Sequence, residues 1–242
     1  MKKRLLVGAL VAPVLGLAAV SAQAHGVWVA PHYGELGVVY GMGYTDDAYE
    51  PEQVRSVASY DADFKPVTVK VQAKDHHSVV EAPDETAVLT VFFDNGYWEK
   101  DAKGKWQPVD KAAIKQPAST STSLKYSISL LKPYQGKMRP FDMPAQVIPE
   151  IDPSTLKQGD SLTVTVYVAG KPQQGVPVTA DYNNDMANRV ETDTKGQVTL
   201  KVRNAGHNVI AALVNHPTPN DSLAHLQRNV ATLSFKSAKN KS

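Results

Sequence analysis

The sequence predicts an all-β protein made of two β-sandwich-like domains, of which the C-terminal one is Ig-like. Apolar and polar residues alternate with a period of two in several short runs, and Gly, Pro and Asn-Gly pairs separate these runs. No long run has the period of an amphipathic helix. The cleanest alternation lies in residues 162–168, where Leu or Val occupies every second position. Such a run is typical of a strand with one face in the core.

Residues 1–24 have the three parts of a secretory signal peptide. Basic residues at positions 2–4 precede an apolar run, and Ala22-Gln23-Ala24 supplies the small residues of a cleavage site. We therefore expect export to the periplasm and a mature chain that begins with His25. No later apolar run is long enough to cross a bilayer, so we expect no direct membrane insertion.

The charge balance argues against a nucleic-acid partner. Loss of the three leading basic residues leaves 23 Lys and Arg against 24 Asp and Glu, a mature net charge near −1. These charges are interspersed, and an interspersed, near-neutral chain lacks the basic patch that nucleic acids require. The chain contains no Cys, so neither a disulfide nor a lipid anchor on Cys contributes, and we expect the core alone to stabilise the fold.

The predicted N-terminal β domain covers residues 25–143 and the Ig-like β-sandwich covers residues 144–237. In the first domain, Asn95-Gly96 predicts a short hairpin between two strands. The second domain shows about six short strands separated by turn residues. The boundary is placed near Pro144, within a 22-residue segment that contains five prolines. Residues 238–242 are predicted to form a disordered tail.

His25 is the first candidate metal ligand. At the start of a processed chain, its α-amine and its ring Nδ1 can close a chelate ring on one metal ion. Imidazole suits nickel, copper and zinc, and the affinity series makes cobalt a further candidate. The alternative is that processing leaves an ordinary histidine there, or occurs at another residue.

His216 is the second candidate ligand, because it follows an apolar strand that would deliver it to the rim of the sandwich. His32 lies seven residues after His25, about 23 Å away along an extended strand, and we expect it to be an exposed loop residue. His207 follows a glycine in a predicted turn. A solvent-facing His216 remains the alternative.

Other candidate sites have simpler explanations. The acidic run at residues 45–50 reads as a solvated turn, and residues 181–186 resemble a calcium loop but lack its glycine and its terminal glutamate. The methionines are scattered and are typical fillers of core gaps. No nucleophile elbow, HExxH or phosphate-binding glycine loop occurs, so we expect a protein that is not an enzyme.

Several segments, in this order, resemble a known family. They are "AHGVWVAPHYGELGVVYGMGYTDDAYEPEQV", "FFDNGYWEK", "PEIDPSTLKQGDSLTVTVYVAGKPQQGVPVTADY", "TDTKGQVTLKV" and "AGHNVIAALVNH". The chain is similar to periplasmic nickel-uptake (NikM-like) proteins, a former domain-of-unknown-function family, and its second half also resembles carboxypeptidase-regulatory-like sandwiches. The resemblance implies a binder of nickel or cobalt that acts beside an outer-membrane receptor or an inner-membrane metal transporter.

Individual residues match that family pattern. His25 matches its terminal histidine and His216 matches a histidine after a strand, while Asp46 and Asp47 match without an assigned role. Met42 stands where relatives carry a histidine. If this residue contributes to the site, the difference changes which metal ion we expect the protein to prefer. Two other functions fit the sequence: a structural or ligand-binding Ig-like module without metal, and a copper oxidase in which His25 and a second histidine form a brace.

Overall fold

The computed structural model describes residues 25–32 and 34–239, so the predicted signal peptide and the last three residues lie outside it. The N-terminal strands are β1 (Gly26–His32), β2 (Glu35–Gly41), β3 (Val54–Tyr60), β4 (Pro66–Val67), β5 (Lys70–Ala73), β6 (Ser78–Glu81), β7 (Val88–Lys100), β8 (Trp106–Val109) and β9 (Thr120–Leu130). The remaining strands are β10 (Ala145–Pro149), β11 (Ser161–Val168), β12 (Lys171–Pro172), β13 (Pro177–Thr179), β14 (Arg189–Glu191), β15 (Gln197–Lys201), β16 (His207–Pro217) and β17 (Leu226–Lys236). The all-β, sandwich-like prediction is confirmed.

Helical structure in the described residues consists of single 3-10 turns. These turns are Pro51–Gln53, Lys111–Ala113, Pro117–Ser119 and Pro153–Thr155. Within residues 25–32 and 34–239, no helix is long and apolar enough to cross a membrane.

The described strands form three sheets. A nine-stranded sheet has the order β14-β13-β16-β17-β9-β7-β3-β4, with β8 paired to β7, and its one parallel pair is β17 with β9. A four-stranded sheet of β10, β11, β12 and β15 packs on one face, and a second of β1, β2, β6 and β5 packs on the other. The large sheet is therefore the central layer of the molecule.

The central sheet crosses the boundary predicted near Pro144. It joins β7 and β9 from the first half of the chain to β16 and β17 from the second half. The largest core cluster likewise combines Ile128 and Leu130 with Val164 and Leu233. The structure thus corrects the two-domain prediction, because residues from both sides of Pro144 share one sheet and one core.

The alternation in β11 places its apolar residues as predicted. Leu162, Val164 and Val166 are at most 1% exposed, and they face the main core. A period of two puts successive side chains on opposite faces, so every second residue of this strand lies in the core.

The hairpin predicted at Asn95-Gly96 is absent, since β7 runs through this pair. The register against β9 shifts between Asp94 and Tyr97, which marks a β-bulge. Gly96 has φ +71°, a left-handed conformation that suits glycine. A bulge and a hairpin turn both need a residue in the left-handed conformation, so an Asn-Gly pair suits either one. Here the chain reverses only after β7 ends at Lys100.

The edge of β1 docks onto hydroxyl groups of the central sheet. The Val29 N–H donates to Ser129 Oγ at 2.9 Å, and the Thr232 hydroxyl donates to the Val27 carbonyl. The other edge of β1 pairs with β2. These side chains satisfy backbone groups that an edge strand would otherwise leave unpaired, and they fix the strand that follows His25.

Candidate functional site

His25 lies at the start of β1 in a partly buried pocket of polar and aromatic groups. Its side chain is 12% exposed, and Nε2 lies 2.6 Å from Asp47 Oδ2. The imidazole also stacks on Tyr40, with 4.9 Å between ring centroids and 21° between ring planes. The contact with Asp47 and the ring face of Tyr40 therefore orient the imidazole.

Asp47 is positioned by the loop that follows β2. Its N–H donates to the Tyr40 carbonyl at 2.7 Å, and the Thr45 hydroxyl lies 3.3 Å from the same carboxylate oxygen that His25 contacts. The loop turns so tightly that a Cβ on Gly41 would lie 2.0 Å from the Thr45 carbonyl oxygen. Glycine at position 41 is thus required to bring Asp47 to His25.

The aromatic rings beneath His25 form a continuous stack. Tyr40 stacks on Phe93 at 4.8 Å, and Tyr49 contacts both rings edge-on. Burial raises the pKa of the Tyr40 hydroxyl and raises that of Tyr49 to about 12. Both phenols stay neutral near pH 7 and do not supply an anionic ligand, and Tyr40 is the ring that contacts the imidazole.

The partner of Nε2 determines which ring nitrogen of His25 carries a lone pair. An ionised carboxylate only accepts hydrogen bonds, so Nε2 donates its proton to Asp47 and Nδ1 has the lone pair in the neutral ring. Metal-binding histidines ordinarily have this arrangement, in which the other ring nitrogen donates to a carboxylate. Nδ1 is also the ring nitrogen that would chelate together with the α-amine of a terminal histidine.

The structure does not bring His216 to His25. Along β16, Ala212 and Val214 face the main core, and the same alternation puts His216 on that face. His25 lies with β1 and β2 on the opposite face of the central sheet. The prediction that His216 lies at the end of a strand is confirmed. The prediction that His216 and His25 bind one metal ion together is corrected, because the two residues lie on opposite faces of the central sheet.

The other histidines have separate neighbours. His32 is the last residue of β1, not a loop residue as predicted, and its Nδ1 lies 3.3 Å from Asp46 Oδ2. His76 Nδ1 lies 3.7 Å from Glu50. In the part of the chain that the structure describes, no three His, Cys, Asp or Glu residues form a group suited to a metal ion.

The methionines fall into two groups. Met138 and Met143 pack in the main core, which fits their predicted role as gap fillers. Met42 and Met186 instead pack against one smaller cluster and line the same pocket. Sequence reasoning described the methionines as scattered because residues 42 and 186 lie on loops far apart in the chain.

Lys125 is a buried ionisable residue that sequence reasoning missed. It is fully buried on β9 on the same face as Ser123 and Ser127, next to Phe93 in the sheet. Burial, together with the charge of Arg228, lowers the pKa of Lys125 to about 7. The only sequence signal was a lysine within an otherwise regular strand.

Fold and site together define an all-β, sandwich-like protein with an oriented histidine–carboxylate pair at the edge of one sheet. The chain belongs to the family described as "Domain of unknown function (DUF4198)", whose model matches residues 22–216. A protein of Haemophilus influenzae, described as an uncharacterized protein, is 25% identical over 160 residues, which are 65% of this chain and 67% of the relative. The family match includes His25, Asp47 and His216.

Proposed function

We propose that the processed chain is a periplasmic binding protein for nickel or cobalt that holds the ion through the terminal His25. The contact between His25 Nε2 and Asp47 Oδ2 at 2.6 Å carries this proposal. It directs the Nδ1 lone pair, together with the neighbouring α-amine that cleavage after Ala24 would create, toward one ion. The chelate needs no folding step because both nitrogens belong to one residue.

A site with few protein ligands suits a carrier. Two nitrogens leave open coordination positions, and open positions allow the ion to be handed on. The receiving partner would be an outer-membrane receptor or an inner-membrane metal transporter, as the nickel-uptake resemblance implies. The same resemblance supports nickel or cobalt as cargo, while copper and zinc are the other ions that imidazole suits.

The copper-oxidase alternative has less support from the geometry. A histidine brace needs a second imidazole beside the first, and His216 faces the opposite side of the central sheet. His32 lies at the far end of β1, where it contacts Asp46. The binding function is therefore the better explanation of a His25 that Asp47 and Tyr40 orient.

The decisive experiment compares a chain that starts at His25 with one that retains Ala24. Ala24 converts the α-amine to an amide and leaves every side chain in place, so we expect Ni²⁺ affinity to fall by about 100-fold or more. Calorimetric titration with Ni²⁺, Co²⁺, Cu²⁺ and Zn²⁺ measures this difference.

Two further variants control the comparison. His25→Ala is expected to lose tight binding as well, whereas His216→Ala is expected to retain the affinity of the starting protein. Circular dichroism checks that each variant is folded. Equal Ni²⁺ affinity with and without Ala24 would contradict the proposal, as would an exported protein whose first residue, by mass spectrometry, is not His25.

A further inference from the structure

A pocket of about 580 Å³ opens beside the His25–Asp47 pair. Two loops form it, and its lining residues are Met42, Gly43, Tyr44, Thr45, Asn183, Asn184, Met186, Ala187 and Arg189. Thr45 belongs to this wall, and its hydroxyl also lies 3.3 Å from the Asp47 oxygen that contacts His25. The pocket and the candidate metal site therefore share a wall.

A second contact connects the pocket to the start of β1. A Cβ on Gly26 would lie 3.1 Å from the Tyr182 ring, so this ring packs directly on the residue after His25. The charge of Arg189 acts on the hydroxyl of the same tyrosine, where it opposes the rise in pKa that burial causes. Tyr182 directly precedes Asn183 in the chain, and both Asn183 and Arg189 line the pocket.

The lining of the pocket fits a small organic anion. Arg189 is its only charged lining residue and forms no salt bridge with any residue that the structure describes. The nearby Asp185 is already engaged, because its carboxylate lies 3.2 Å from Arg203 and accepts from Asn188. Asn183 adds a hydrogen-bonding amide, whereas the Asn184 amide already donates to Asp181, and two methionines supply apolar walls. The volume is in the range of small-molecule sites.

The proposed metal site has too few protein ligands to surround a divalent ion. A molecule bound in the pocket can supply the remaining ligands. His25 supplies two nitrogens in the proposed function, and no group of three His, Cys, Asp or Glu in residues 25–32 and 34–239 completes a coordination sphere. A divalent ion held by two nitrogens takes its remaining donors from water or from a chelating molecule. Carboxylate oxygens are suitable donors, and a further carboxylate matches the guanidinium of Arg189.

We propose that the pocket binds the organic part of a metal chelate, so that the cargo is a divalent ion carried by a small carboxylate-bearing chelator. This inference rests on the proposed function, since the ion of the chelate is the one that His25 binds. One carboxylate remains on the metal and another contacts Arg189, while the body of the chelator lies between Met42 and Met186. Thr45 connects the two subsites, because it lines the pocket and its hydroxyl donates to the carboxylate that holds His25.

Equilibrium dialysis with Ni²⁺ and radiolabelled citrate, malate or tartrate, each of which has at least two carboxylates, tests the inference on the chain that starts at His25. At least one chelator is expected to be retained one-to-one with Ni²⁺, and not without Ni²⁺. In Arg189→Gln, retention of that chelator falls about tenfold or more because a charge-assisted hydrogen bond is lost. The control Lys171→Gln removes an exposed cation outside the pocket and leaves retention unchanged.

Binding of Ni²⁺ without any chelator separates this inference from the proposed function. Arg189→Gln is expected to bind bare Ni²⁺ as well as the starting protein does. If Ni²⁺ is retained through His25 but none of the three chelators accompanies it, or if Arg189→Gln retains the chelator equally, the inference is overturned and the proposed function stands. If bare Ni²⁺ binding does not depend on His25, the proposed function fails first.

Discussion

Two adjacent carboxylates have different partners in this structure. Asp47 contacts His25 at 2.6 Å, and Asp46 contacts His32 at 3.3 Å. The sequence showed both acids in a run that reads as a solvated turn, and it gave no partner for either. Their roles depend on a loop that folds back along β2, which local sequence patterns do not report.

These two residues provide a matched pair of variants. Asp47→Asn removes the anionic acceptor that holds the His25 imidazole through Nε2, so we expect Ni²⁺ affinity to fall by about 10- to 100-fold. Asp46→Asn makes the same chemical change one residue away, next to His32, and is expected to leave the affinity unchanged. Calorimetric titration of both variants checks this. A similar loss in both would show that the effect is general electrostatics and not orientation of His25.

At the scale of single elements, β9 shows where sequence patterns succeed and where they fail. Its alternation predicts a strand correctly, but an alternating row of Ser residues ordinarily indicates a solvent-facing side. In the structure Ser121, Ser123, Ser127 and Ser129 are fully buried. Beside Ser127 and Ser129 the edge of β1 docks on this face, and small hydroxyl residues allow that close approach, with Ser129 satisfying the Val29 N–H of β1.

The docking of β1 depends on individual hydroxyls. Ser129→Ala leaves the buried Val29 N–H without its acceptor, so we expect a loss of about 1 to 3 kcal/mol in the free energy of unfolding. Ser127→Ala is the matched control: its hydroxyl contacts that of Ser129 at 3.1 Å, and it is expected to cost less. Urea denaturation of both variants gives the comparison. Equal losses would mean that β1 is held by its apolar contacts alone.

At the scale of the whole molecule, strand identities were more predictable than strand partners. The period-two alternation located β11 and the end of β16 because those signals are local. The parallel pairing of β17 with β9 joins residues about a hundred positions apart, and no local pattern specifies it. The opposite orientation of His25 and His216 follows from this topology. The sequence therefore identified each histidine as a candidate metal ligand but did not show whether the two lie close enough to bind one ion.

The shared sheet predicts that the mature chain unfolds as one unit. The main core takes Tyr126, Ile128 and Leu130 from one side of Pro144 and most of its other members from the other side. Residues 144–239 alone would lack these side chains and would leave the β9-facing edge of β17 unpaired. We expect one calorimetric transition for residues 25–242, with equal calorimetric and van't Hoff enthalpies, and no cooperative transition for residues 144–239. A chain of residues 25–237 is the control, since it keeps every strand and is expected to unfold as the longer chain does. Two resolved transitions in the mature chain, or a cooperative transition in residues 144–239, would restore the boundary near Pro144 as a true domain division.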